Sequence, residues 1–243
     1  MNWISTAELD GSVVGTVTAI AYGDTVGWIG MMLVDPQYRR RGIATRLMRR
    51  AMEALETCRT IKLDATPLGK TVYEKLGFRD EYSLVRLIRA HAPFDMPSTG
   101  GVSPLSAGNL DDISAMDKAA FGADRMNVLA PIAAVNPATA FRLDRDGVLG
   151  GYVLGRPGAN FYQIGPLVAD TPDNAVALAG TAMSVIGAAP IVVDVPADQL
   201  EFIGWLVSNC FREERPFIRM YEGENDSPGR PERVFAICGP EVG

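Results

Sequence analysis

Apolar and polar residues alternate over the first part of the chain in a pattern that predicts a series of β-strands. We expect strands over residues 3–9 and 13–21, joined by a tight hairpin turn at Asp10-Gly11. The run from Val26 to Val34 is apolar on both faces and stops at Asp35-Pro36. Such a run is typical of an interior strand, so we expect it to have a neighbour on each side.

A helix and a second buried strand are predicted next. Apolar residues recur at helical spacing from Ile43 to Leu55, and arginines and glutamates occupy the opposite face. The apolar run from Thr60 to Asp64 then predicts another strand. A strand–helix–strand order implies that the strands at residues 26–34 and 60–64 lie parallel, with a right-handed crossover between them.

A further helix, a strand and a linker follow. Thr66-Pro67 is typical of a helix start, and Gly77 stands where a left-handed C-terminal cap is needed. Alternation over residues 82–87 predicts a strand, and the Pro-, Ser- and Gly-containing stretch after it is typical of a linker. We therefore place a first domain at residues 1–92, a linker at 93–101 and a second domain at 102–243.

The second part of the chain repeats the pattern of the first. Asp10-Gly11 is matched by Asp146-Gly147, and the strand at Ile61–Asp64 is matched by Ile191–Asp194. The segment FRDEYSLVRL, residues 78–87, matches FREERPFIRM, residues 211–220, with one Phe, two Arg and one Glu identical. Because these anchors recur in one order at a spacing of 130–136 residues, we interpret the chain as two copies of one fold.

The two copies differ ahead of their hairpin turns. The second copy has residues 102–145 there, with a helix predicted from Asn109 to Phe121, whereas the first copy has only nine residues. The first domain is therefore expected to lack a strand and helices that the second retains. Either the sequence begins late or these elements were lost.

Composition narrows the class of protein. The chain has 243 residues, 47% hydrophobic and 21% charged, as folded globular proteins do. Its net charge of -6 argues against general attraction to nucleic acid or to a membrane surface. The longest uncharged run, residues 174–193, is rich in Ala, Gly, Ser and Thr and predicts a packed helix followed by a buried strand. Three cysteines without metal-ligand spacing favour a cytoplasmic, reducing location and no metal.

A cluster of arginines marks the junction between the predicted interior strand and the first helix. A solvated helix face would be the ordinary interpretation of such a cluster. Here Gly42 and Ala44 allow close approach to a helix N-terminus, whose amide groups and dipole form an anion site suited to a pyrophosphate. Six arginines lie within twelve residues that contain no acid: Arg39, Arg40, Arg41, Arg46, Arg49 and Arg50.

Two motifs carry a resemblance to a known family. The segment from Val34 to Ala44 resembles the acyl-CoA pyrophosphate motif of the GCN5-related N-acetyltransferases (GNAT), and Tyr73 to Phe78 is similar to their second motif. The resemblance implies an α/β (α+β) fold of two tandem GNAT-like domains. Each would be a mixed, mostly antiparallel sheet with a central parallel strand pair flanked by helices, and the first would be short at its N-terminus.

The resemblance also implies roles for particular residues. Tyr73 matches the tyrosine that protonates the departing thiolate, a role that suits a phenol of pKa about 10 facing a thiol of about 8.5. Thr66 and Gly69 stand where many relatives have Asn and Ala. The residues expected to bind the pantetheine arm and pyrophosphate of acetyl-CoA are Met32, Leu33, Val34, Arg39, Arg40, Arg41, Gly42, Ile43, Ala44 and Thr45.

The proton acceptor for the attacking amine is less clearly marked. Asp64 and Glu81 are possible bases near the acceptor substrate, but a structural role as a helix cap or surface charge is the commoner use of such residues. In the second copy, Asp173-Asn174-Ala175-Val176 replaces Arg39-Arg40-Arg41-Gly42, which we call the arginine turn, and Leu206 replaces Tyr73. We therefore expect the second domain to be a scaffold or a wall of the acceptor site, without a CoA pyrophosphate motif.

The sequence thus predicts an acetyl-CoA-dependent N-acyltransferase. It would move an acetyl group to a primary amine of a small molecule by direct transfer in a ternary complex, with no metal, nucleic acid or membrane involved. The alternative is a non-catalytic acyl-CoA sensor or interaction module, favoured by the short N-terminus. The acceptor amine, the base and the oligomeric state stay open at this stage.

Overall fold

The computed structural model describes residues 2–96 and 100–243, and it divides into two compact units. Residues 97–99, which belong to the expected linker, lie outside the described residues. The units interleave in sequence, which differs from a single division at residues 93–101. The first unit comprises Met1–Tyr82, Phe217–Pro228 and Pro240–Gly243, and the second comprises Ser83–Pro216 and Gly229–Gly239.

The helices and strands follow the predicted order closely. The first copy of the repeat contains β1 (Asn2–Leu9), β2 (Ser12–Tyr22), β3 (Val26–Val34), α1 (Ile43–Ala54), β4 (Thr60–Ala65), α2 (Pro67–Glu74) and β5 (Arg79–Arg89). The second copy contains β6 (Val102–Pro104), α3 (Asp111–Phe121), α4 (Met126–Val135), β7 (Phe141–Arg145), β8 (Val148–Pro157), β9 (Tyr162–Ala169), α5 (Pro172–Ile186), β10 (Ile191–Pro196), α6 (Leu200–Ser208), β11 (Arg212–Gly223) and β12 (Val234–Ala236).

The first unit is built on a sheet with the strand order β1-β2-β3-β4-β11. Neighbouring strands are antiparallel except β3 and β4, which are parallel, as the strand–helix–strand order predicts. The prediction that β3 is an interior strand is also confirmed, because β2 and β4 flank it. Helix α1 covers one face of this sheet, with Leu47, Met48 and Ala51 packed against Val17 and Ile29.

The second unit repeats this plan. Its sheet has the order β5-β10-β9-β8-β7-β6, and β9 and β10 form its parallel pair. The uncharged run folds as α5 and β10, as predicted, and none of the helices in residues 2–96 and 100–243 is long and apolar enough to cross a membrane. A tandem pair of mixed α/β units with central parallel strands is therefore confirmed.

The matching hairpin turns show the same repeat in backbone conformation. Asp10 and Gly11 have φ angles of 51° and 77°, and Asp146 and Gly147 have φ angles of 51° and 78°. A two-residue turn with positive φ at both positions matches the twist of the strands it joins, and Asp-Gly tolerates it well.

The two copies exchange their last strands. Strand β5 of the first copy pairs antiparallel with β10, and β11 of the second copy pairs antiparallel with β4. Two ion pairs with the same geometry accompany the exchange: Arg219 binds both carboxylate oxygens of Asp64 at 2.9 Å, and Arg86 binds those of Asp194 at 2.7 and 2.8 Å. The interleaving of the units follows from this exchange, which a linear domain boundary does not describe.

Some elements differ from the sequence-based expectation. The helix expected from Asn109 begins at Asp111, after a short 3-10 turn over Ala107–Asn109. Helix α4 was not predicted, and it has Pro131 in its interior and no side-chain cap at its start. Arg125, just ahead of α4, instead forms a buried ion pair with Asp117 of α3, which joins the two helices.

Candidate functional site

A gap opens between the two parallel strands of the first unit. Paired residues of β3 and β4 run from Val26–Thr60 to Trp28–Lys62 and then stop. Beyond that row β3 contains a bulge: its register with β2 shifts between Thr16 and Thr18, and Met31 has a φ of 49°. We call the space past this row the β3–β4 gap. Residues 31–34 of β3 border it without forming paired residues with β4.

A positively charged turn lies at the end of β3. Arg40 and Gly42 both have positive φ, at 62° and 75°, and such alternation points successive backbone N–H groups outward. Helix α1 begins at Ile43 with no side-chain cap and no acidic residue in its first turn. A Cβ at Gly42 would meet nothing within 4 Å, so the backbone conformation rather than crowding favours glycine there.

The charge of this turn is not compensated. Within the described part of the chain, Arg39, Arg40 and Arg41 form no ion pair, and all three are exposed. Arg39 donates only a long hydrogen bond, 3.4 Å, from Nε to the carbonyl of Val34, and Arg41 lies 5.3 Å from the centre of the Tyr38 ring. Free guanidinium groups beside unbonded helix N–H groups fit a pyrophosphate.

Tyr73 lies on α2, on the same face of the sheet as α1. Thr66 caps this helix by accepting a hydrogen bond from Gly69 N, as predicted, and Gly77 has the expected positive φ of 98°. The Tyr73 ring packs 6.2 Å from that of Phe78, and a Cβ at Gly69 would lie 3.0 Å from its Cε2. A glycine at this position therefore leaves room for the tyrosine ring.

The hydroxyl of Tyr73 is chemically available. It makes no hydrogen bond to any described residue, and the side chain is half-buried among residues that pack with α1. Burial raises the pKa of Tyr73 to about 12, so the phenol stays protonated at every physiological pH. The arrangement offers a proton donor without a competing acceptor.

Asp64 and Glu81 both form buried ion pairs, which differs from the helix-cap or surface role that sequence reasoning favoured. The side chain of Asp64 is fully buried, and both its carboxylate oxygens accept hydrogen bonds from Arg219. Burial disfavours the charge of Arg219, but Asp64 outweighs that effect and the pKa of Arg219 is raised. Both oxygens of this carboxylate are engaged by the guanidinium, so Asp64 is poorly placed to accept a further proton.

Glu81 retains more hydrogen-bonding capacity. Its Oε1 accepts hydrogen bonds from Lys62 Nζ at 2.8 Å and from Asn225 Nδ2 at 2.9 Å. Its Oε2 is buried and accepts no hydrogen bond from the described residues. Burial lowers the pKa of Lys62, and Glu81 opposes that shift. Of the two candidate bases, only Glu81 therefore has an oxygen left to accept a proton.

Arg219 stacks on Trp28 at the last row of paired residues between β3 and β4. The guanidinium of Arg219 lies 4.7 Å from the centre of the Trp28 ring and donates to the hydroxyl of Tyr82 at 2.7 Å. Through Asp64 it is also bound to β4. Arg219 therefore links the two parallel strands just before the gap, a role that the repeat of Arg86 at a fixed offset could have signalled.

In the second unit the equivalent space is filled by the chain itself. Pairing of β9 with β10 stops at Ile164–Val193, and β12 then pairs with β9 through Val234–Val168 and Ala236–Leu167. The N–H of Ile237 donates to Asp194 O at 2.9 Å, which joins this segment to β10 as well.

The helix start of the second unit is also unsuited to an anion. Thr171 caps α5 by accepting a hydrogen bond from Asn174 N, and Asp173 lies in its first turn. Leu206, at the position of Tyr73, is buried apolar packing. Across residues 2–96 and 100–243 no group of His, Cys, Asp and Glu side chains is arranged to hold a metal ion.

Comparison with known proteins finds matches to two family models, each described as an acetyltransferase (GNAT) domain, over residues 3–80 and 113–236. The N-acetyltransferase YitH of Bacillus subtilis (strain 168), itself uncharacterized, is 25% identical over 97% of this chain and 83% of its own length. The holothin acyltransferase of Pseudoalteromonas sp. (strain SANK 73390) is 29% identical over 95% of this chain and 78% of its own length.

Solved structures also match this chain over most of its length. One described as an acetyltransferase from Pyrococcus horikoshii matches with a TM-score of 0.82 and 29% identity, over 99% of this chain and 80% of that one. A tandem GNAT protein from the clavulanic acid biosynthesis pathway matches with a TM-score of 0.60 and 14% identity, over 93% of this chain and 85% of that one. At that identity the second match concerns the fold alone.

Proposed function

This chain belongs to the GNAT acetyltransferase family, and from that premise we propose that its first unit moves the acetyl group of acetyl-CoA to a primary amine of a small molecule. Acyl transfer from an acyl-CoA to an amine is the activity of the family. The observation that supports our assignment to the first unit is its open β3–β4 gap, which lies beside an uncompensated basic helix start.

In this proposal the arginine turn and the start of α1 bind the pyrophosphate. Arg39, Arg40 and Arg41 supply charge-assisted hydrogen bonds, and the N–H groups of Ile43 to Thr45 supply the helix N-terminus. The backbone of residues 32–34, which is free of β4, binds the pantetheine arm. Acetyl-CoA supplies the acetyl group as a reactive thioester.

Tyr73 acts as the proton donor to the sulfur that leaves. Because burial raises the pKa of Tyr73 to about 12, the hydroxyl stays protonated while negative charge develops on the departing thiolate. The amine must lose its own proton as it attacks. Glu81 is the candidate acceptor of that proton, because its Oε2 accepts no hydrogen bond from the described residues.

Direct transfer fits the cysteines better than an acyl-cysteine route does. Burial raises the pKa of the Cys58 thiol, so it is a poor source of thiolate, and Cys238 is buried in the second unit. Cys210 is exposed, but it follows α6 of the second unit. Among the described residues none of the three cysteines forms a disulfide, in line with our proposal of a cytoplasmic, reducing location.

A small-molecule acceptor is suggested by one relative, the holothin acyltransferase, whose name assigns it a small-molecule substrate. The test is release of CoA from acetyl-CoA in the presence of a panel of primary amines, with a thiol reagent as the readout. We expect release that depends on the amine and falls in Tyr73→Phe. Binding of acetyl-CoA without turnover of any amine would instead support the alternative of a non-catalytic acyl-CoA sensor.

A further inference from the structure

Residues 240–242, which we call the 240–242 segment, pack on the first unit at the start of the β3–β4 gap. The indole Nε1 of Trp28 donates to the carbonyl of Pro240 at 3.1 Å, and the hydroxyl of Tyr22 donates to the carbonyl of Val242 at 2.8 Å. Both aromatic side chains are buried. The segment is therefore attached to β2 and β3 by two hydrogen bonds from rigid side chains.

A glycine in β3 permits this attachment. A Cβ at Gly30 would lie 2.5 Å from the carbonyl oxygen of Glu241 and 2.9 Å from its Cα, both too close for a real contact. Gly30 lies beside the bulge of β3 but does not itself have a positive φ, so its own conformation does not require glycine. The close approach of the 240–242 segment is what requires it.

The segment lies on the face of the sheet that α1 leaves uncovered. Ile29 packs in the α1 cluster and Gly27 lies against Leu55, so strand alternation places Trp28 and Gly30 on the opposite face. Trp28 is also the last β3 residue paired with β4. The segment consequently borders the gap on its helix-free side.

The groups assigned to acetyl-CoA leave the helix-free side of the gap for the amine. The arginine turn leads into α1, and Tyr73 packs with the α1 cluster, so the groups assigned to the pyrophosphate and the sulfur lie on the helix side. An amine has to reach the carbonyl carbon without displacing them. We propose that the 240–242 segment is the wall of the acceptor entrance, and that it admits compact primary amines in preference to bulky ones. This inference rests on the proposed function.

The test measures selectivity between ethylamine, phenethylamine and tryptamine as acceptors, together with the acetyl-CoA dissociation constant. In Gly30→Ala and in a chain that ends at Gly239, we expect the preference for ethylamine to fall roughly ten-fold, because the wall is displaced or removed. The dissociation constant for acetyl-CoA should stay within about two-fold of the unaltered chain. Tyr22→Phe should shift selectivity in the same direction, and Tyr221→Phe, a tyrosine of the same unit outside the segment's contacts, should not.

A comparison of melting temperatures distinguishes displacement of the 240–242 segment from simple misfolding of the variants. Gly30→Ala should lower the melting temperature of the full chain but not that of the chain ending at Gly239, since the added methyl group then has room. Unchanged amine selectivity in all these variants, with acetyl-CoA still bound, would overturn the wall while leaving the proposed function intact. Failure of the unaltered chain to bind acetyl-CoA would overturn both.

Discussion

The two units contain the same pair of parallel strands, and they differ in what lies where those strands separate. In the first unit β3 and β4 part after Trp28–Lys62 and leave a gap beside a basic turn. In the second, β9 and β10 part after Ile164–Val193, and β12 fills the space. One plan thus yields an open gap in one unit and a filled one in the other.

The comparison teaches that the two units differ both in the charge at the helix start and in what occupies the space between the parallel strands. At the start of α5 an aspartate and a threonine cap occupy the place where α1 has free arginines and no cap. A phosphate there would meet the carboxylate of Asp173, whereas Asp170 is paired with Arg233. Removing the charge of Asp173 alone would not make an anion site in the second unit, because β12 pairs with β9 where β9 and β10 separate.

Tyr73→Phe should produce the largest change. Removing the hydroxyl that we propose as the proton donor of the first unit should lower kcat roughly 10²–10⁴-fold, because general acid catalysis typically contributes that much. The acetyl-CoA dissociation constant should hardly move, since the ring stays packed against Phe78. Steady-state kinetics with isothermal titration calorimetry would check both. Full turnover in Tyr73→Phe would show that another group protonates the sulfur.

The exchanged ion pairs offer a matched pair of variants. Arg219→Met and Arg86→Met should each lower the free energy of unfolding by about 3–5 kcal/mol, because each removes the guanidinium that neutralises a buried aspartate. Only Arg219→Met should also weaken turnover, since Arg219 stacks on Trp28 at the gap. Urea unfolding measures the first effect. Arg212→Met, an exposed residue of β11, is the control, and equal stability of all three variants would contradict the account.

The basic turn should matter for affinity. Arg39→Ala combined with Arg41→Ala should weaken acetyl-CoA binding roughly ten- to hundred-fold, because charge-assisted bonds to the phosphates are lost. Arg49→Ala, a change of the same charge on the exposed face of α1, should leave affinity within about two-fold. Titration calorimetry at two salt concentrations distinguishes the two variants. Equal losses of acetyl-CoA affinity in both would mean that the positive charge of the whole region, and not the turn itself, attracts the ligand.

Gly165→Ala probes the closed unit. Gly165 has a φ of 151°, and an added Cβ would overlap the carbonyl oxygen of Ile237, the residue that follows β12. We expect a loss of about 1–3 kcal/mol in unfolding free energy with unchanged acetyl-CoA affinity. Gly204→Ala, in the exposed part of α6 with open space around it, should be neutral or slightly stabilising.

The smallest expected effect is on the alkaline side of the pH profile. A raised pKa means that Tyr73 keeps its proton to higher pH than an ordinary tyrosine, up to about 12. Once the amine is deprotonated, kcat should therefore change less than about two-fold up to roughly pH 10.5. A fall in kcat centred near pH 10 would indicate an unshifted tyrosine or another acid.

Local patterns predicted most of the fold. The β3 bounds, the parallel pair, the cap at Thr66 and the left-handed Gly77 all follow from alternation, helical spacing and turn chemistry within short stretches. Strand exchange could not be predicted in this way. The segments that form β5 and β11 have similar sequences, so either of them could pair with β4 or with β10. The repeated aspartates Asp64 and Asp194 and the repeated arginines were visible, but the sequence did not show that each aspartate pairs with the arginine of the other copy.

The candidate site was predictable only where its chemistry is local. The arginine turn and Tyr73 belong to continuous motifs, whereas Arg219 and the 240–242 segment come from the far end of the chain. Asp64 and Glu81 could be named as carboxylates, yet only their buried partners decide which retains a free oxygen. Such partners are set by tertiary packing, which one sequence does not reveal.

The most direct test of the account is the stoichiometry of acetyl-CoA binding by isothermal titration calorimetry. We predict one equivalent per chain, with affinity lost in the variant that combines Arg39→Ala and Arg41→Ala and kept in Gly165→Ala. Two equivalents per chain, or one that is indifferent to the arginine turn, would contradict the claim that the open gap of the first unit is the acyl-CoA site.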